Sequence, residues 1–199
     1  MTTAPVADSR SARKAATRDA IADALLDLLA EGNLRPTARE ISQRAGTSLR
    51  SVYVHFDDLE GLYCVAAKRH FARIAPMLEP VPATGPLAER ASKFVRQRVE
   101  LFGRMRGVGR ATQLQAPFSP TLARIVRDAQ RRSRGDIERV FETELASLPD
   151  EERRRRAATL DALLGANAWD TMRTGHELSV DDAERATIDA IITLLEPTA

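Results

Sequence analysis

Leu49, Arg50 and Ser51 stand on the outward face of a short helix that the spacing predicts after Ser48, and these side chains suit the edges of nucleic-acid bases. An arginine fork matches O6 and N7 of guanine, and a leucine can meet the 5-methyl group of thymine. The face is outward because Val52 and Phe56, four residues apart, form an apolar pair that packs back on Ile41 and Ala45 of a preceding helix.

The elements that position these residues carry their own end signals. Thr37 followed three residues later by Glu40 is a capping box: the hydroxyl accepts from a first-turn N–H and the carboxylate reaches back to the cap's own N–H. Gly46, directly after Ala45, tolerates left-handed backbone angles and ends that helix after about two turns. Ser48 then caps the second helix. Two short helices around a glycine-containing turn make the helix-turn-helix pattern, whose second helix enters the DNA major groove. An ordinary corner between two helices of an all-α domain has the same spacing.

The run AREISQRAGTSLRSVYVHFDDLEGL, residues 38–62, resembles the DNA-binding domain of TetR-family transcriptional regulators in its Ala-Gly turn, its Val-Tyr-x-His-Phe signature and the acidic start of the next helix. The resemblance covers about residues 15 to 65 at motif level and rests on helix pattern beyond them. It implies that base edges are read from Leu49, Arg50 and Ser51, and that Arg39 matches a position from which some members reach a guanine. It also implies that Thr37, Ser48, Tyr53 and His55 hold phosphates through hydroxyl, ring N–H or backbone groups. Read from the residues alone, His55 at a helix-turn junction can equally cap or pack, and Tyr53 can be core. One departure stands out: the lysine usual three residues after the signature Phe is Leu59 here.

A chain of 199 residues holds one or two domains with a sizeable core. Aromatics at 5%, hydrophobics at 43% and few β-branched runs favour helix over sheet, so the expected class is all-α. A formal net charge of +2 decides little, because what matters for a polyanionic partner is where the basic residues cluster. The one cysteine, Cys64, excludes an internal disulfide and a cysteine-built metal site. It reads as an inert thiol inside a helix. With no apolar run of membrane-spanning length and no signal-peptide core, the expected compartment is cytoplasmic.

Along the chain, residues 1 to about 10, including Pro5, read as a frayed end. Arg10, Arg13, Lys14 and Arg18 follow as a basic start, either solvated or an arm touching phosphate or the minor groove. The first helix is expected from about Ala12 to Ala30. Asp57 with Glu60 reads as a capping box for a helix running to about Ala75. The proline- and glycine-rich stretch 79–86 marks a linker between a DNA-binding domain, 1–78, and a helical domain, 87–199. There, helices are expected from Leu87 to near Gly107, from Ser119-Pro120 to about Leu148, from Pro149 to about Thr174, and from Ser179 to Pro197, for about nine in all. Gly107 to Phe118 is weakly patterned. The runs Arg131-Arg132 and Arg153 to Arg156 read as solvated faces interleaved with acids.

The resemblance further implies a homodimer on a palindromic operator, repression by occluding a promoter, and release by a small molecule bound among the C-terminal helices. For dimerisation the sequence offers Ala158, Ala162, Gly165, Trp169 and Met172 as one stripe, paired with the isoleucine face of the last helix. For the effector it offers Phe94, Leu101, Phe102 and Met105, then Leu114, Phe118, Phe141, Trp169 and Met172. Arg98 falls on that apolar stripe, where it either pairs with an acid such as Asp161 or Asp170, exits to solvent, or awaits the carboxylate of an apolar or aromatic acid. A regulator governed by a protein partner or by concentration alone remains open, as does a helical enzyme. Catalysis and metal binding find little support: His55, His70 and His176 fit no metal spacing, and Gly103, Gly107 and Gly109 follow no strand. No cofactor is implied.

Overall fold

The computed structural model describes residues 6–196, so Pro5 and Pro197 lie outside the described residues. These residues form ten α-helices and no strand, one helix more than the periodicity suggests: α1 (Val6–Ala30), α2 (Ala38–Arg44), α3 (Leu49–His55), α4 (Leu59–Ile74), α5 (Leu87–Gln115), α6 (Pro120–Val140), α7 (Glu142–Ala146), α8 (Asp150–Leu163), α9 (Ala166–Asp170) and α10 (Val180–Leu195). None is long and apolar enough to cross a membrane.

The described residues divide into two compact units, one running from Val6 to Arg73 and taking in Met105–Val126, the other made of Ile74–Arg104 with the described residues from Arg127 onward. The first unit buries Ile21, Leu25 and Leu29 of α1 with Ile41 of α2, Val52 of α3, Phe56, and Leu62 and Tyr63 of α4. Helix α1 begins at Val6 rather than at Ala12. The added turns carry no apolar stripe to betray them; a helix already nucleated by packing extends through such residues at small cost. It ends as expected at Gly32, whose φ of +93° lets its N–H and that of Asn33 bond back to the Leu29 and Leu28 carbonyls.

Helix α5 does not stop near Gly107 but continues to Gln115, followed by a 3-10 turn at Ala116–Phe118. Glycine is present at 107 for closeness rather than for breaking. A Cβ there would lie 2.5 Å from the Leu29 carbonyl oxygen and 3.1 Å from the Ala30 nitrogen, so α5 crosses α1 backbone to backbone. Ser119 caps α6 by accepting from the Leu122 N–H at 3.0 Å, with Pro120 in the first turn.

In the second unit Phe94, Val95, Ile137, Val140, Phe141, Leu160, Leu164 and Ile191 form the core. The stretch 79–86 belongs to this unit: Val81 is buried, its carbonyl accepts from Arg139 at 3.0 Å, and the Glu79 carbonyl accepts from Gln97. Two long helices expected from the sequence are each broken. The first turns at Phe141, which is fully buried and packs edge-to-face on Phe94 with centroids 5.7 Å apart. The second breaks at Leu164 and Gly165, resumes as α9, and ends in a π-helical turn at Thr171–Gly175. Ala158, Ala162, Gly165, Trp169 and Met172 therefore do not share one continuous helix. The Arg153 to Arg156 run is a salt-bridged face, with Arg153 on Asp150 and Arg155 and Arg156 on Glu152. Helix α10 starts as expected, its Ser179 hydroxyl accepting from the Asp182 N–H at 3.0 Å.

Because Gly107 abuts Leu29 whereas nothing lies within 4 Å of a Cβ at Gly109, two substitutions in one helix separate packing from propensity. Gly107→Ala is expected to cost about 1–3 kcal/mol by overpacking. Gly109→Ala is expected to gain up to about 1 kcal/mol through helix propensity. Urea denaturation of both variants checks the pair.

Candidate nucleic-acid interface

Helix α2 is held by its N-terminal cap. The Thr37 hydroxyl accepts from the Glu40 N–H at 3.3 Å and donates to the Glu40 carboxylate at 2.6 Å, while the Thr37 N–H donates to the same carboxylate at 2.7 Å. These hydrogen bonds, first the side-chain one and then the backbone one, hold the Glu40 carboxyl below the usual glutamate range. At the other end Ala45 is the C-cap and Gly46 takes a φ of +62°, which turns the chain into Ser48. Ser48 caps α3 by accepting from the Ser51 N–H at 3.1 Å. The two helices expected from the spacing, and the residues that begin and end them, are all in place.

On α3 the surface differs in detail from the sequence reading. Val52 is buried and Ser51 half-buried, whereas Leu49, Tyr53 and Val54 are 43%, 53% and 63% exposed and Arg50 is exposed. The outward face is thus Leu49, Arg50, Tyr53 and Val54. In sequence Val54 lies between the core residues Val52 and Phe56 and reads as one of them; the signal of its outward place is its position four residues after Arg50. Arg39 is exposed in the first turn of α2, and Thr37 and Ser48 are exposed beside it and at the start of α3. His55 is half-buried at the end of α3 and lines a shallow depression of about 290 Å³ with Asp57, Asp58 and Thr121.

The helix after the motif is capped by a different residue than expected. Asp58, not Asp57, accepts from the Gly61 N–H at 2.7 Å. Glu60 does not reach back to a cap; its carboxyl is lowered by hydrogen bonds from Thr121 and Ser119 at the start of α6. Leu59 is half-buried against the core. Cys64 is buried, and burial pushes its thiol up, as suits an inert residue.

The basic residues near the chain start are helical. Arg10, Lys14 and Arg18 recur every four residues along α1, all exposed, and the Arg18 guanidinium lies 5.1 Å from the Phe56 ring centre. Arg44 is engaged elsewhere, in a two-pronged pair with Glu31 at 2.8 and 2.7 Å.

The residues expected to wall an effector site divide between the units. In the second, Phe94 and Phe141 are fully buried against each other, and Leu101, Phe102, Trp169 and Met172 are half-buried. In the first, Met105 is half-buried, while Leu114 and Phe118 are exposed, Phe118 to 82%. Arg98 is buried and stacked 4.7 Å from the Phe94 ring centre. Its acid is Asp136, at 3.5 Å, rather than Asp161 or Asp170; Asp161 pairs with Arg134 at 2.9 Å. One further bond runs to the Ser133 carbonyl at 3.3 Å, and the Arg98 Nε has no hydrogen-bond partner. Burial lowers the Arg98 pKa against the opposing pull of Asp136 and Asp161.

No family model matches the chain, and no curated protein is significantly similar to it. Solved structures are similar over nearly the whole length. A transcriptional regulator from Rhodococcus sp. Rha1 shares 25% identity over 92% of this chain and 99% of its own, with a TM-score of 0.71. A protein from Streptomyces coelicolor A3(2) assigned as a transcriptional regulator shares 26% identity over 91% and 99%, with a TM-score of 0.65. A protein from Rhodococcus sp. assigned to the TetR family has a TM-score of 0.63 at 20% identity over 92% and 100%, a likeness of fold.

The caps make two predictions for stability. Ser48→Ala is expected to cost about 1 kcal/mol, read from a urea transition. Glu40 has a folded pKa below its unfolded one, so its contribution is present above the usual glutamate range and lost as pH falls through the lowered value. Urea midpoints of wild type and Glu40→Gln are therefore expected to differ most at neutral pH and to converge in acid.

Proposed function

We propose that this chain, a TetR-like transcriptional regulator by its fold, binds a palindromic DNA operator as a homodimer, represses by occluding a promoter, and is released by a small molecule. The observation that carries the reading is the pair α2–α3: two capped seven-residue helices around Gly46, with the second presenting Leu49, Arg50, Tyr53 and Val54 to solvent. In this reading Arg50 and Arg39 are guanine readers. Thr37, Ser48, Tyr53 and His55 hold phosphates, and the basic stripe of α1 adds sequence-independent attraction. Two copies joined through α8 and α10 set their recognition helices about one DNA turn apart or slightly more.

Arg50→Ala is expected to remove about 1–3 kcal/mol of preference for one base pair. Tyr53→Phe is expected to weaken all sequences alike. Selection from a randomised duplex pool, followed by titration at several salt concentrations, checks both. Affinity falls steeply with salt, two protomers bind per duplex, and an unchanged base preference in Arg50→Ala removes that residue from the base-reading set.

For the effector, the support is Arg98: a buried guanidinium with one long ion pair and an unbonded Nε favours a ligand that brings a carboxylate. Ligand and DNA then favour different geometries and weaken each other reciprocally. A thermal-shift screen of apolar acids and their neutral amides is expected to show acids stabilising wild type but not Arg98→Gln. Equal stabilisation of both proteins refutes the charge pair. The closed contact of Phe94 on Phe141 favours a second reading, control by a partner or by concentration, in which no small molecule shifts the transition.

A further inference from the structure

On the surface of α3, only one of the four outward side chains is an obvious hydrogen-bonding reader. Leu49 and Tyr53 form one i, i+4 pair on this face, and Arg50 and Val54 form the next. Of the seven large hydrophobic side chains exposed among the described residues, Leu49, Tyr53 and Val54 lie within these six positions. Aliphatic groups so concentrated around an arginine are spaced for a surface that is apolar in spots and polar between them. The major groove is such a surface, because thymine alone among the bases presents a methyl group there.

We infer that Val54 and Leu49 are thymine readers, so that each half-site is recognised by at least two thymine 5-methyl groups flanking the base pair read by Arg50. The inference rests on the DNA-binding reading above and gives that site its base chemistry. Neither side chain can donate or accept a hydrogen bond, so each is selective in two ways. It gains contact with a methyl, and it penalises the alternatives: against the cytosine amino group, or against purine N7 and its neighbouring polar group, an aliphatic side chain removes water without replacing its hydrogen bonds. Val54 is also short and branched, presenting two methyls at the level of the helix surface, whereas Tyr53 beside it is long enough to reach the backbone. Residues 50 and 54 are about 6 Å apart along a helix axis, so the methyl met by Val54 and the base read by Arg50 belong to the same half-site.

The test changes the DNA before the protein. A half-site is obtained by selection from a randomised duplex pool, and each thymine is then replaced singly by deoxyuridine, which removes the methyl and keeps every hydrogen-bonding group. Fluorescence anisotropy is expected to show at least two positions per half-site where deoxyuridine weakens binding about fourfold. Val54→Ala is expected to abolish the effect at one of them and Leu49→Ala at another, while Arg50→Ala leaves both effects in place. Both aliphatic positions are exposed, and an unchanged melting temperature confirms that each variant is folded. Specific binding that is insensitive to deoxyuridine at every position overturns the inference, as do deoxyuridine effects that persist in both alanine variants. A pool that yields no enriched sequence overturns the DNA-binding reading itself, a result distinct from either.

Discussion

Helices of seven residues cannot hold themselves together in water, where even good helix formers need roughly 12–15 residues. Both α2 and α3 have that length, and they exist because Ile41, Val52 and Phe56 are buried with Ile21, Leu25, Leu62 and Tyr63 in one core. The caps at Thr37 and Ser48 then decide where each helix begins, and Gly46 decides how the chain passes from one to the next. Stability is carried by one face of the motif. The opposite face is released from that duty, which is why Leu49, Tyr53 and Val54 can stand in solvent on a helix that is nonetheless well placed.

The same core ties the motif to the helices behind it. Glu60, one residue into α4, accepts hydrogen bonds from Ser119 and Thr121 at the start of α6, and Arg69 and Arg73 of α4 pair with Asp19 and Asp23 of α1. Leu59, the first residue of α4, packs inward against this core. Positive charge enters at another point: Arg18, reaching over the Phe56 ring, continues the stripe of Arg10 and Lys14 to the edge of α3.

Two buried arginines on α5 show how differently one residue type can be accommodated. Arg90 has every guanidinium nitrogen bonded, donating to both carboxylate oxygens of Glu144, the Val140 carbonyl and the Gly85 carbonyl, and lies over the Phe141 ring. It thereby secures the turn at Phe141 that separates α6 from α7. Arg98 has a half-exposed acid at 3.5 Å, one carbonyl and an unbonded Nε. A buried charge is costly in proportion to what it lacks, so of the two it is Arg98 that has most to gain from a further anion.

By itself the sequence determined what depends on near neighbours: the all-α class, both caps of the motif, the turn at Gly46, and the starts of α6 and α10 at Ser119 and Ser179. Each of these is a hydrogen bond or backbone angle closed within a few residues. Tertiary structure decided the rest. Gly107 reads as a helix end yet marks where α5 meets the Leu29 backbone. Phe141 reads as mid-helix yet turns because its ring is buried on Phe94. Asp136 rather than Asp161 faces Arg98, and Val54 rather than Ser51 is the more exposed on α3. The 79–86 stretch has a linker's composition yet is held by Gln97, Arg139 and Arg90. For Gly107, Phe141, Arg98 and Val81 the deciding partner lies far away in the chain, at Leu29, Phe94, Asp136 and Arg139, and local periodicity carries no information about which distant group will fill a given side of a helix.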